Sequence, residues 1–212
     1  MEINKSYYTR LAETVIISPE WKDRWARLIS VVFSPLTVAI AAVAIAGLAI
    51  KDESALVWIA LYIALSILPP ALYIMYLVRK GMVTDFHLNV RKERTKPFLI
   101  MTINSAVVFL VMLLAGAPEL ILIVIAAAVL QLSCMLLITH RWKISGHCTA
   151  ATGLVVLALA LFGEKLIPLT LIIPLIAWSR IRLSRHTFTQ TVAGIFLGTI
   201  TITALLYVTN YL

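Results

Sequence analysis

Charged side chains are scarce in this sequence, and their scarcity excludes an ordinary soluble domain. Only 13% of the 212 residues are charged, whereas 61% are hydrophobic and the mean hydropathy is +0.98. Soluble domains contain about 25% charged and about 45–50% apolar residues. The composition therefore predicts an all-α, polytopic membrane protein.

Cysteine and aspartate are also rare. Neither the number nor the spacing of Cys134 and Cys148 indicates a disulfide framework or a zinc site. The three aspartates, Asp23, Asp52 and Asp85, cannot form the paired Asp-rich motifs with which a membrane prenyltransferase would bind magnesium diphosphate. The sequence therefore predicts no metal site and no cofactor, and it argues against a prenyltransferase.

The net charge of +8 raises the question of nucleic-acid binding. The basic residues, however, are divided among several loops between apolar runs and are not gathered in one domain. Membrane topology and contact with anionic headgroups account for this distribution better. We therefore expect the lipid bilayer as a partner and no nucleic acid, while the oligomeric state is left open.

Apolar runs long enough to cross a ~30 Å bilayer core occur along most of the chain. Residues 1–27 mix aromatic and charged side chains, which predicts an N-terminal interfacial helix before a bundle formed by residues 28–212. The predicted spans are residues 28–50, 54–78, 98–116, 118–138, 145–162, 166–183 and 187–212. The sixth has too few apolar residues unless its helix continues through Arg180 and Arg182, so we expect about six to seven spans. Pro69-Pro70 is expected to kink the second.

The basic residues predict the orientation of this bundle. The N-terminus and the loops 79–97, 139–146 and 179–187 fall on one face, which carries 16 of the 18 Lys and Arg residues. Basic residues in short loops remain in the cytoplasm. We therefore predict a multi-pass protein of the cell membrane whose polar face is cytoplasmic.

One polar cluster on this face begins the last span. His186, Gln190, Gly194 and Gly198 recur every four residues and therefore share one stripe of a helix. The glutamine amide can hydrogen-bond the imidazole, and the glycines allow a second helix to approach closely. An ordinary helix-packing face would show the same pattern.

Two further clusters lie on the same face. Ser145-Gly146-His147 opens the fifth span, where free backbone N–H groups and a hydroxyl suit a phosphate, although a plain serine N-cap would look alike. The loop from Asp85 to Pro97 contains Arg91 and Arg94, whose planar guanidinium groups suit bidentate phosphate binding. A basic cytoplasmic loop is the alternative there.

Two of these clusters carry a family resemblance. Ser179-Arg180-x5-His186-x3-Gln190, preceded 34 positions earlier by Ser145-Gly146-His147, resembles the type-2 phosphatidic acid phosphatase superfamily. The third motif of that family reads Ser-Arg-x5-His-x3-Asp and its second reads Pro-Ser-Gly-His. The likeness extends to Gly194 and covers roughly residues 80–200.

The resemblance implies a role for each matching residue. His186 corresponds to the nucleophile that forms a phosphohistidine, and His147 to the general acid that protonates the leaving oxygen. Arg180, Ser145 and the N–H of Gly146 correspond to the groups that hold the phosphate oxygens. These roles fit phosphoryl transfer, which needs positive charge around the equatorial oxygens and one proton for the leaving group.

Three departures from the family pattern affect these roles. Ile144 replaces the proline of the second motif, and Gln190 replaces the aspartate that orients the nucleophile. A glutamine can accept a hydrogen bond from the imidazole but cannot offset its developing charge. The first motif of the family reads Lys-x6-Arg-Pro, and Asn89 stands where that motif has lysine. We expect Arg91 and Arg94 to replace this lysine as phosphate ligands.

The sequence thus predicts an integral membrane phosphatase that works without a metal. A lipid phosphate is the expected substrate, for example phosphatidic acid, phosphatidylglycerophosphate, or a prenyl phosphate or diphosphate. A lipid phosphotransferase would use the same residues, and a membrane transporter could use the arginines to bind an anion. The sequence leaves these alternatives open.

Overall fold

The computed structural model describes residues 21–50 and 52–211, and within them it contains helices and no strand. The α-helices are α1 (Trp21–Val32), α2 (Pro35–Ile50), α3 (Ala55–Tyr62), α4 (Leu68–Arg79), α5 (Thr95–Leu114), α6 (Glu119–Thr139), α7 (Gly146–Phe162), α8 (Ile172–Arg182) and α9 (Phe188–Val208). A π-helical segment (Ile63–Ile67) joins α3 to α4, and 3-10 segments lie at Arg91–Glu93 and Gly163–Leu171. The predicted all-α fold is confirmed. Residues 1–20 of the predicted interfacial segment lie outside the described residues.

The first predicted span is divided in two. A break at Phe33-Ser34 separates α1 from α2, and the two helices are bent by 48°. Pro35 lacks an N–H and suits the first position of a helix, while the Ser34 hydroxyl accepts from the N–H of Thr37 at 3.3 Å. A helix start is therefore built into residues 34–37, and the boundary expected at residues 27 and 28 lies in the middle of α1.

The second predicted span contains a π-helical segment next to its two prolines. Residues Ala55–Arg79 form one continuous helical run, in which the π-helical segment immediately precedes Pro69 and Pro70. The two prolines cannot donate hydrogen bonds, and the N–H of Leu68 bonds to the carbonyl of Ile63 across a widened turn. Turns of this kind are among the irregularities at which helices bend, and the kink predicted at Pro69-Pro70 stays a prediction.

Length and hydropathy give five membrane-spanning helical runs among the described residues, or six if α1 and α2 together form one span. One of the five, Gly146–Arg182, contains both the fifth and the sixth predicted spans. A straight helix of 37 residues would hold its ends about 55 Å apart. Ser30, however, hydrogen-bonds to His147 near one end and to Arg180 near the other. The run therefore folds back on itself at Gly163–Leu171, and α8 returns to the face from which α7 starts.

The outer surface of the bundle is apolar, as expected of a membrane protein. Leu56, Leu114 and Val208 are each more than three-quarters exposed, and many other large apolar side chains also face outward. The interior is packed around α6, α7 and α9, with Ile121, Leu157 and Leu206 almost completely buried. The polar loops 80–94, 140–145 and 183–187 meet at one end of this bundle, where the candidate site lies.

Candidate active site

His186 is oriented by the first turn of α9. The helix begins with a capping box, in which Thr187 accepts from the N–H of Gln190 while Oε1 of Gln190 accepts from the N–H of Thr187 at 3.2 Å. The same Oε1 lies 3.2 Å from Nδ1 of His186. Because this oxygen can only accept, Nδ1 carries the hydrogen and Nε2 keeps its lone pair. Gln190 thus fixes the tautomer that a nucleophilic histidine needs.

The two glycines of α9 bring the start of α7 against His186. A Cβ on Gly194 would lie 2.6 Å from the backbone oxygen of Ser145, so only glycine allows the observed approach. The N–H of Ser145 donates to the carbonyl of Gln190 at 3.1 Å. The helix stripe predicted from the sequence therefore both orients His186 and joins α9 to α7.

Ser145 is the N-cap of α7. Its side chain is fully buried, and its hydroxyl oxygen accepts from the N–H of Cys148 at 3.4 Å. Gly146 and His147, the next two residues, line a cavity inside the bundle that is described below. The serine therefore has the capping contact of a plain helix start, while Gly146 and His147 face the space where a substrate could bind.

Arg180 reaches the same cavity from the end of α8. Its side chain is 3% exposed. One Nη donates to the hydroxyl of Ser30, and the other donates to Oδ1 of Asn89 at 3.2 Å. Neighbouring Ser179 points away from the cavity and donates to the carbonyl of Ala26 at 2.6 Å.

His147 has partners from the N-terminal half of the chain. Its Nε2 lies 3.2 Å from the carbonyl oxygen of Ser30, and its ring stacks on that of His87 with 5.8 Å between the centroids. A carbonyl only accepts, so Nε2 carries a hydrogen in this arrangement. His147 is buried, whereas His87 is exposed and lines the mouth of the cavity.

The structure separates the two arginines expected to bind phosphate. Arg94 is buried, lines the cavity, and donates to the carbonyls of Leu88 at 2.7 Å and Ile144 at 3.3 Å. Arg91 instead donates to the carbonyls of Thr139 and His140, at 3.1 and 2.7 Å, and does not line the cavity. The end of α6 has unpaired carbonyls that attract a cation, which explains the position of Arg91.

Burial and the positive charge of the surrounding loops lower the pKa values of side chains at the site. Burial lowers the pKa of His186 to about 3, with further lowering by the charges of Lys143 and Arg94. Burial also lowers the pKa of Lys143 to about 8 and that of Arg94 to about 10. At neutral pH, His186 is therefore neutral while Lys143 and Arg94 are charged.

An apolar cavity of about 240 Å³ extends from these polar groups into the bundle. Its polar end is formed by His87, Arg94, His147, Arg180 and His186. Its walls come from α2, α4, α5 and α6 and are mainly aliphatic. A molecule that fills it must combine an anionic group with an apolar portion.

Several residues of this site were not predicted from the sequence. Lys143, whose Nζ donates to the carbonyl of Arg185 at 2.7 Å, lies in a short polar stretch that gave no motif. His87 was visible only as part of a basic loop, and Ser30 lies in an apolar run without any polar pattern. These residues reach the site through tertiary contacts, so local spacing carried no signal for them.

Among residues 21–50 and 52–211, no three His, Cys, Asp or Glu side chains are grouped so that they could hold a metal ion. Cys134 and Cys148 are both free, and Cys148 is fully buried.

Comparison with known proteins gives one match. Residues 139–212 match the PAP2 superfamily, and this segment contains both motifs on which the resemblance rests. The residues before position 139, where the first motif is incomplete, lie outside the match. No curated protein and no solved structure matches the chain.

Proposed function

Since residues 139–212 belong to the PAP2 superfamily, whose members are phosphatases, we propose that this membrane protein hydrolyses the phosphate ester of a lipid through a phosphohistidine. One observation supports this proposal above the others. His186, His147 and two buried arginines surround the polar end of an apolar cavity inside a membrane bundle. An anionic headgroup and an apolar tail could both be bound there.

In the first step, Nε2 of His186 attacks the phosphorus. The N–P bond forms as the ester P–O bond breaks. His147 acts in its imidazolium form: its Nε2–H stays bonded to the carbonyl of Ser30, and Nδ1 donates a proton to the leaving lipid oxygen. The hydrogen bond from Nδ1 to Gln190 supports this assignment because it leaves the Nε2 lone pair available. The low pKa of His186, about 3, keeps the ring neutral before attack.

In the second step, water attacks the phosphohistidine. His147, now deprotonated, accepts a proton from the water as the N–P bond breaks, which releases inorganic phosphate and restores both histidines. Gln190 is neutral and cannot offset the positive charge of the phosphorylated ring. Gln190 therefore serves only to orient the ring, and the cations around the phosphate stabilise the charge that develops on its oxygens.

The phosphate oxygens would be held mainly by Arg180 and Arg94. Both guanidinium groups line the cavity and keep N–H donors beyond those used in the hydrogen bonds described above. The N–H of Gly146 is placed at the start of α7, where the helix dipole favours an anion. Ser145 would act through the cap, and Arg91 has no part in the proposed site.

The compartment of the site follows from charge distribution. The loops that form the site are the loops that contain most of the basic residues, so we propose a cytoplasmic site in the cell membrane. Single cysteines at positions 80 and 164, in a variant without Cys134 and Cys148, would be probed on intact cells with an impermeant thiol reagent. Labelling at 164 alone is expected, and labelling at 80 alone would place the site outside.

A substrate panel tests the chemistry. Purified protein would be incubated in detergent micelles with phosphatidic acid, phosphatidylglycerophosphate, and prenyl phosphate or diphosphate, and released phosphate would be measured. Acid-labile, base-stable labelling by substrate carrying radioactive phosphate would identify the phosphohistidine, and it should disappear in His186→Ala. Release of phosphate is expected to continue in EDTA.

The panel also addresses the alternatives. Phosphate transfer to an added alcohol in preference to water would indicate a phosphotransferase. A protein that binds phosphate without turning over any of these lipids would indicate an anion-binding or transport bundle, and it would contradict the proposal.

A further inference from the structure

Arg180 is held by two residues that lie outside the segment with the family match. Ser30 belongs to α1 and Asn89 to the loop before α5, whereas the match begins at residue 139. Each accepts a hydrogen bond from a different Nη of the guanidinium. We propose that Ser30 and Asn89 are positioning residues that fix Arg180 in the orientation needed to bind phosphate. This inference rests on the function proposed above.

The donor inventory of Arg180 supports this role. A guanidinium has five N–H donors, and the contacts with Ser30 and Asn89 use one from each Nη. The second N–H of each Nη has no hydrogen bond to the described residues and can serve a phosphate oxygen. Both acceptors are neutral, so they orient the guanidinium and leave its charge to attract the anion.

The orientation of Asn89 is itself fixed by Asp85. The carboxylate accepts from Nδ2 of Asn89 at 2.8 Å and from its backbone N–H at 3.3 Å. A carboxylate only accepts and a guanidinium only donates, so the amide can take only the orientation with Oδ1 toward Arg180. Asp85 thus acts on Arg180 through Asn89.

This arrangement also gives a physical account of the departure in the first motif. Where the family pattern has a lysine, this chain has an acceptor. A lysine at position 89 could not accept from Arg180 and would place a second cation beside it. In this chain the position therefore serves the orientation of Arg180, while Arg94 supplies a charge from the same loop.

Ser30 acts on two groups at once. Its hydroxyl accepts from Arg180, while its backbone carbonyl accepts from Nε2 of His147 at 3.2 Å. Substitution of the side chain removes only the first contact. This difference allows the effect on Arg180 to be measured while the backbone partner of His147 is kept.

The test combines phosphate-analogue binding with a double-mutant cycle. Ser30→Ala and Asn89→Ala would be made in the wild-type and Arg180→Gln backgrounds of the full chain. Orthovanadate binding would be measured by titration in detergent, and kcat/KM would be measured with the lipid phosphate that the substrate panel identifies. Ser133→Ala and Asn104→Ala are matched controls, because their side chains bond to carbonyls within the helices and do not line the cavity.

In the wild-type background, each substitution should weaken orthovanadate binding about tenfold or more, since a hydrogen bond to a charged group is lost. In the Arg180→Gln background the same substitutions should change binding by less than about twofold. Ser30→Thr, which keeps the hydroxyl, should bind nearly as wild type. Ser30→Cys keeps the size with a weak acceptor and should resemble Ser30→Ala, which gives a second variant if the alanine protein does not fold.

Equal losses in both backgrounds would overturn the inference, because the residues would then act independently of Arg180. Wild-type binding by both single variants would overturn it as well. In either case, a wild-type protein that still hydrolyses lipid phosphate would leave the proposed function intact. A wild-type protein that neither binds orthovanadate nor releases phosphate would overturn both.

Discussion

The parts of the chain before and after residue 139 contribute to the site in different ways. Residues 139–212 supply the two histidines assigned to bond making and an arginine assigned to phosphate binding. All three sit at helix ends: His147 in the first turn of α7, Arg180 in the last turn of α8, and His186 just before α9. The residues before 139 supply Ser30, Asn89 and Arg94, which reach the site from α1 and from the loop that precedes α5. The C-terminal part therefore places its side chains through local helix structure, and the N-terminal part completes the site through long-range hydrogen bonds.

This difference parallels the extent of the family match, which begins at residue 139. A helix end places a side chain through the backbone alone, so residue types at fixed spacing are needed there. An orienting acceptor can come from any nearby element. Local spacing in this chain therefore predicts His147 and His186, whereas it does not predict the residues that hold Arg180.

The largest expected loss of activity follows removal of a histidine after residue 139, and removal of the histidine before it should cost much less. His186→Ala should abolish turnover, and His147→Ala should lower kcat about 10²–10⁴-fold, because a nucleophile and a general acid are removed. His87→Ala, in the N-terminal part, should cost about tenfold at most, since His87 only stacks on His147. Rates of phosphate release would be measured for variants that are shown to be folded. His140→Ala serves as a control at an exposed histidine. A larger loss in His87→Ala than in His147→Ala would reverse the comparison.

The next effect concerns the contact within the C-terminal part. Gly194→Val should destabilise the protein by about 1–3 kcal/mol, because its Cβ would meet the backbone oxygen of Ser145. The resulting shift between α7 and α9 should lower activity about 100-fold. Thermal unfolding and kcat/KM would be measured beside Ala204→Val, which introduces the same side chain at an exposed position of α9. Equal behaviour of the two variants would show that the close approach is unnecessary.

A pH profile tests the loop between α6 and α7. Lys143, with its pKa of about 8, is charged below that pH and neutral above it. If its charge assists phosphate binding, KM should rise as the pH increases through 8. Lys143→Arg should remove this rise, because a guanidinium remains charged. Lys92→Arg, on an exposed residue of the same face, should leave the profile unchanged, and an unaltered rise in Lys143→Arg would exclude Lys143 as its source.

The smallest effect is expected where α1 meets α8 at the surface. Asp23 accepts from Nε of Arg182 at 2.7 Å, and both side chains are about one-third exposed. Solvent screens such a pair, so Asp23→Asn should cost less than about 1 kcal/mol of stability and leave kcat nearly unchanged. Thermal unfolding at low and high salt would measure this. A tenfold loss of activity would show that the position of α1 depends on the ion pair.

The sequence by itself determined the helical fold with its membrane-spanning helices, and it predicted the candidate site residues that follow position 139. Apolar runs leave the backbone no alternative to helices in lipid, and the spacing of His186, Gln190 and Gly194 is set by the helix repeat. The continuation of the sixth helix through Arg182 also followed from the length a span requires.

Only the tertiary structure decided what surrounds these residues. It divided the first predicted span at Phe33-Ser34 and folded Gly146–Arg182 into a hairpin. It placed Arg94 at the cavity, whereas Arg91 bonds to the end of α6. It also brought Ser30 and Asn89 to Arg180, across 150 and 91 positions of the chain. Such contacts depend on which helices pack together, and that choice is made by side-chain fit over the whole bundle and not by local spacing.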